Sequence, residues 1–181
     1  MKRLSVDPRK ARLVGGGAAA KHKTLVAGAV EVLTYKDDDG RPRERAGRIR
    51  LQAIQDAGEE NIGTFIQRHI EPGSRIRTDG WRGYSDTALA GYTHSVRIVG
   101  IPERAHQRAP HIHRVFSNLK TWLLGTHHGG KPQYLQRDLD EYVFRFNRRR
   151  TPMAAFQTLL GISSRKPPVP LHALASPELK A

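Results

Sequence analysis

The sequence predicts an α/β fold, a mixed sheet flanked by helices. Three observations predict it. Two segments rich in β-branched residues enclose an Asp-Gly turn, apolar residues further on recur at helical spacing, and the elements run strand, strand, helix, strand, strand, helix along most of the 181 residues. That alternation calls for a sheet covered by helices rather than a bundle or a sandwich.

Taken in order, residues 1–17 read as a basic flexible arm: residues 1–13 are basic and broken by Pro8, and Gly15-Gly16-Gly17 reads as a flexible connection. The core is expected over 18–150. Thr24 to Tyr35 (TLVAGAVEVLTY) is a strand by composition, and Asp37-Asp38-Asp39-Gly40 is a turn. From Gly47 to Ile54, Ile49, Leu51 and Ala53 alternate with Arg48, Arg50 and Gln52, the period of a half-buried strand, so the two strands form an antiparallel hairpin. Glu59 to Ile70 sets Ile62, Phe65, Ile66 and Ile70 on one helical stripe, which Pro72-Gly73 ends. Ser74 to Thr78 is a short strand that runs into Asp79-Gly80-Trp81, and Thr93 to Ile101 is another. After a polar loop, helices follow over 111–124 and 132–148, the second with Leu135, Leu139, Tyr142 and Phe146 facing a core. Residues 151–181 hold a short helix near 152–160 and a Pro-rich tail.

Charge narrows the class. Lys and Arg number 31 against 17 acids, a formal net charge of +14. So one-sided a balance points to a polyanion: DNA, RNA or an anionic surface. There is no cysteine, which excludes disulfides, thiolate metal sites and cysteine nucleophiles. The first fourteen residues carry charges throughout and do not read as a secretory signal. The longest apolar run, around Leu25 to Val30, is far short of a membrane span. The expectation is a soluble protein of the bacterial cytoplasm, associated with the nucleoid and with no membrane partner.

Asp79 stands at the end of an internal strand, with a long gap before the next helix. Two-metal nucleotidyl-transfer enzymes use that arrangement, because acids from separate elements must converge on the ions. The stretch Arg77 to Tyr84 (RTDGWRGY) with Gly91-Tyr92-Thr93-His94, then His113 to Gly129 (HRVFSNLKTWLLGTHHG) and Leu135 to Arg148 (LQRDLDEYVFRFNR), resembles the core of the ISXO2-like transposases of the IS1595 group. The resemblance runs from about Val14 to Arg148. It implies a ribonuclease-H-like fold, DNA cut-and-join chemistry at element ends with Mg²⁺ or Mn²⁺, DNA as partner (terminal repeats and target), and a homo-oligomer on DNA.

Carried over residue by residue, the resemblance makes Asp79 the second catalytic acid and a metal ligand; by spacing alone it is more often a turn former. Aligning on Ser117 and Lys120 puts His113 in the third position, with Asn118 as rival. His113, Ser117 and Lys120 share a helix face at i, i+4 and i+7, whereas Asn118 points away from it. Imidazole is a poorer Mg²⁺ ligand than carboxylate, so positioning or proton transfer suits His113 better, with Lys120 beside it as a phosphate contact. The first acid falls on Lys10 when Leu13-Val14-Gly15-Gly16 is matched, and Asp7 fits only in a shifted register. The expectation is therefore an incomplete acid set in a truncated or inactive copy.

Trp81, Arg82, Arg145, Arg148 and Arg149 are further candidates for DNA contact, the last three equally explained as cations at a helix C-terminus. Trp122 belongs to a core stripe, Asp37 to Asp39 to a solvated turn, and His127-His128 lacks a third ligand for zinc. Gly15 to Gly17 is no phosphate loop, since no Gly-Lys-Ser/Thr follows. Two other classes fit the same residues: a non-catalytic basic nucleic-acid-binding protein, and a ribonuclease-H-like nuclease that hydrolyses without joining strands.

Overall fold

The computed structural model describes residues 24–79, 83–96, 110–127 and 132–167, and the main chain of 3–10. Among the described residues five strands form one sheet: β1 (Arg3–Lys10), β2 (Leu25–Lys36), β3 (Pro42–Ile54), β4 (Arg75–Thr78) and β5 (Thr93–Val96), in the order β3-β2-β1-β4-β5. The helices are α1 (Glu59–His69), α2 (Pro110–His127), α3 (Leu135–Asn147, entered through a 3-10 turn at Pro132–Tyr134) and α4 (Pro152–Ser163).

The largest correction to the sequence reading is β1. Residues 3–10, expected to belong to a flexible arm, form the middle strand, antiparallel to β2 and parallel to β4. Pro8 is tolerated there because the ladder to β4 ends at Ser5, so its missing N–H breaks no bond on that side. The β2–β3 hairpin forms as its alternation requires, with Asp37 shaping the turn. The Asp37 carboxylate accepts the Arg41 N–H at 2.8 Å and pairs with Arg43 at 2.9 Å, which holds its pKa low. Gly40 takes φ 76°, a conformation that disfavours any side chain. The hairpin's register shifts between Val30 and Val32, where the Glu31 carboxylate accepts the Arg48 N–H.

The sheet buries both faces. Against one lie α2 and α3: Val26, Val30, Ile49 and Leu51 pack with Ile112, Phe116, Leu119, Leu135 and Leu139. Against the other lies α1, whose stripe of Ile62, Phe65, Ile66 and the following Ile70 meets Ala27, Ala29 and Ile76. Gly28 is the point of closest approach. A Cβ there would stand 2.7 Å from the Phe116 ring, so glycine lets α2 settle on the sheet.

β3 is an edge strand, and α3 closes it with side chains. Asn147 accepts the Ile49 N–H at 2.7 Å and donates to the Ile49 carbonyl at 3.1 Å. Gln136 accepts the Ala53 N–H at 2.9 Å. Arg149 donates to the Ala46 carbonyl at 2.7 Å, and its guanidinium lies 4.0 Å over the Phe146 ring. Edge groups that would otherwise template another strand are thereby partnered within the chain. Replacing Asn147 with Ala removes the partner of the Ile49 N–H and leaves its carbonyl only the Arg50 guanidinium at 3.2 Å, and is expected to cost about 1–3 kcal/mol in urea denaturation. An unchanged midpoint would show that water replaces the amide at no loss.

Three half-buried histidines bridge elements. His69 on α1 reaches Gln52 of β3 at 3.0 Å, His94 on β5 reaches Thr78 of β4 at 2.8 Å, and His111 on α2 lies 4.0 Å from Glu44 of the hairpin. Burial is the main cause that pushes all three below the ordinary 6.5. Lowered folded pKa values mean that the unfolded chain binds more protons as the pH falls through 6.5. Stability is then full above that value and lost below it. The melting temperature should be flat from about pH 8 to 7 and fall between about pH 6.5 and 5.5; a flat profile to pH 5.5 would contradict this.

Candidate active site

The site is built on the pairing of β1 with β4. These strands run parallel, with Arg3 opposite Arg75, Leu4 opposite Ile76 and Ser5 opposite Arg77. The paired register ends there, two residues before Asp7 on β1 and two before Asp79 beyond β4. On its other side Asp7 pairs with Gly28, which pairs with Leu51. Asp7 thus belongs to the cross-strand row whose members in β2 and β3 face α2.

Asp79 is exposed just beyond β4, where the ladder to β5 has ended. The residue before it is anchored: Thr78 is 4% exposed, and its hydroxyl meets the His94 ring on the adjacent strand. Tyr84 packs beside that ring at 6.4 Å between centroids. The sequence reading placed His94 in a matching block but assigned it no role. Its contact with Thr78 crosses 16 residues and is not written in any local spacing.

The two candidates for the third position lie on opposite flanks of α2. Its core stripe is Ile112, Val115, Phe116, Leu119 and Leu123. The Val115 carbonyl accepts the Tyr142 hydroxyl of α3, and Trp122 lies 5.5 Å from the Tyr142 ring. Asn118 falls between Val115 and Trp122 at i+3 of seven, on the flank beside α3. His113, Ser117 and Lys120 fall on the opposite flank, away from α3 and toward the β4 side of the sheet. His113 is half-buried, and Ser117 and Lys120 are exposed. His113 also stands one turn before Phe116, whose ring covers Gly28 in the Asp7 row.

The other sequence candidates separate. Trp81 and Arg82 lie outside the described residues, as do His128, the glycine run and the chain beyond 167. Arg149 is committed to the β3 edge, with its pKa lowered first by burial, then by Arg150 and Arg45. Arg145 pairs with Glu141 at 2.9 Å, and Arg148 stacks on Phe144 at 4.1 Å. These three arginines therefore carry structural contacts. Trp122 packs partly buried on the core as its stripe requires. His127 faces Asp138 at 3.8 Å and the Trp122 ring, a packing arrangement rather than half of a metal pair. Burial raises the Asp138 pKa. Among the described residues no three His, Asp or Glu side chains gather to hold a metal ion. Nor is any helix there long and apolar enough to cross a membrane.

Comparison with known proteins bears on this geometry. No curated protein matches the chain. Among solved structures, the fold is similar to the catalytic core domain of BIV integrase in crystal form I. The TM-score is 0.53 at 15% identity, over 90% of this chain and 95% of that one. At that identity the likeness speaks for the fold, which is ribonuclease-H-like. Residues 3–147 match the family described as the ISXO2-like transposase domain, a span that begins with β1 and ends with α3. The chain belongs to the ISXO2-like transposase domain family.

Proposed function

We propose that the chain is the catalytic core of an insertion-sequence transposase that cuts DNA at the element's ends and joins it to a target. The observation that supports this reading is the parallel β1–β4 register, whose last pair, Ser5 with Arg77, stands two residues before Asp7 and Asp79. The expectation of a missing first acid rested on aligning Lys10 with that position. Strand β1 offers Asp7 as the first acid instead.

The donor chemistry fits a hard divalent cation: Asp7 and Asp79 supply carboxylate oxygens, the ligands that Mg²⁺ and Mn²⁺ prefer. Bound there, such ions would activate an attacking oxygen and stabilise the leaving one. His113 offers an imidazole on the flank of α2 toward β4, suited to orienting the scissile phosphate or moving a proton. Lys120, exposed on the same flank, gives a phosphate contact next to it. The net charge of +14 draws the duplex to the protein and makes binding steeply salt-dependent. The Thr78–His94 contact holds the main chain that presents Asp79. Work on element and chromosomal DNA puts the protein at the bacterial nucleoid.

Purified protein with Mg²⁺ and terminal-repeat DNA is expected to nick and join strands. Asp79→Asn and Asp7→Asn should each reduce both steps to background while DNA binding stays within about twofold. Hydrolysis without joining would instead make the chain a nuclease. Binding with no metal-dependent chemistry in the parent chain would make it a basic DNA-binding protein. Normal cleavage by Asp7→Asn would exclude that residue from the site.

A further inference from the structure

We infer that Glu44 is a positioning residue of the candidate site: its carboxylate, carried in by the β2–β3 hairpin, ties β4 two residues before Asp79 to the first turn of α2 two residues before His113. What the tie serves rests on the catalytic reading above; that it exists rests on the contacts alone.

Three elements meet at this carboxylate. Arg77 Nη2 on β4 donates to Glu44 Oε1 at 3.5 Å, and His111 Nε2 on α2 stands 4.0 Å from Glu44 Oε2. The two oxygens of one group thus face two different elements. The Arg77 and His111 side chains are only 15% and 12% exposed, so the contact is screened less than a surface pair.

The hairpin's length is what brings Glu44 there. Glu44 lies opposite Thr34, two residues past Val32, where the β1 pairing begins with Arg3. The hairpin therefore outruns β1, and the register shift between Val30 and Val32 bends it. Ala46 packs on the core beneath α2 and α3, and strand alternation puts Glu44 on the same face. On β4, Ile76 packs toward α1, so its neighbour Arg77 starts on the α2 face.

Charge explains why the tie matters to α2 in particular. Its first turn runs Pro110, His111, Ile112, His113, Arg114 and carries no acid, whereas α1 opens with Glu59 and Glu60. The positive end of a helix dipole is stabilised by a nearby carboxylate. α2 has none of its own there, and Glu44 supplies one from another element. From Ile112 onward the helix is held by its core stripe, so the first turn, which bears His113, is the part that depends on Glu44.

The test compares three variants of the full chain. Glu44→Gln keeps the shape and removes the charge. Glu44→Asp keeps the charge on a shorter stem. Asp38→Asn, exposed in the turn of the same hairpin, removes one acid and leaves the tie intact. Hydrogen exchange is read at the amides of residues 114–117, whose bonds to the carbonyls of 110–113 close the first turn. Glu44→Gln should speed that exchange about tenfold with the rest of α2 and the circular dichroism unchanged; Glu44→Asp should fall between it and the parent, and Asp38→Asn should match the parent. In metal-dependent cleavage of terminal-repeat DNA, Glu44→Gln should lower kcat at least about tenfold and leave KM for DNA unchanged, because a displacement of about 1 Å at a site can cost about 100-fold. Exchange no faster than in Asp38→Asn overturns the inference. So does cleavage at the parent's kcat, or a loss that appears in KM alone. A parent chain that cleaves nothing sinks the catalytic reading instead, and the exchange still decides whether Glu44 holds the helix end.

Discussion

Parallel pairing of β1 with β4 is the constraint on which the rest of the structure depends. A parallel pair cannot be joined by a tight turn, so the chain between the two strands must leave the sheet and return. Here it leaves as the β2–β3 hairpin, which extends the sheet on one side, and returns through α1, which covers one face. β5 then pairs parallel to β4 and completes the other edge. The last pair of that ladder, Ser5 with Arg77, stands two residues before Asp7 and Asp79, acids separated by 72 positions in the chain. No local interaction could align them.

A second set of contacts keeps that sheet single and closed. The far edge, β3, is partnered by the amides of Gln136 and Asn147 and the guanidinium of Arg149. These are long-range bonds, spanning up to 103 residues, and they fix α3 along the edge. α3 in turn fixes α2 through the Tyr142 hydroxyl and the Trp122 ring. With that flank of α2 occupied, the opposite one, bearing His113 and Lys120, is left facing the β4 side. The edge lock thus has a consequence at the other end of the sheet: it sets the rotation of the helix that bears His113 and Lys120.

Much of this was legible in the sequence. The hairpin showed in the alternation of Ile49 and Leu51 with arginines and in the Asp-Gly turn. α1 showed in the spacing of Ile62, Phe65, Ile66 and Ile70, and all four are buried. The separation of His113 from Asn118 followed from helical spacing, and α2 is regular enough to keep it. β1 was not legible, because Leu4 and Val6 give only two apolar positions among charges, and Pro8 argues against a central strand unless the ladder on one side is known to stop. The arginines after α3 were equally ambiguous: a cation at a helix end looks the same whether it meets a phosphate or a strand carbonyl. α4 was readable as a helix, but its exposure was not, since burial depends on neighbours far along the chain.

The central claim is that Asp7 and Asp79 act on the same bound ion. Titration of Mn²⁺ into the parent chain, Asp7→Asn, Asp79→Asn and the double variant tests it most directly. If the two acids share a site, each single variant weakens binding by about tenfold or more, and the double variant falls short of the sum of the two losses. If Asp7→Asn binds Mn²⁺ as the parent does, the register between β1 and β4 has no chemical meaning, and the account of the site is contradicted.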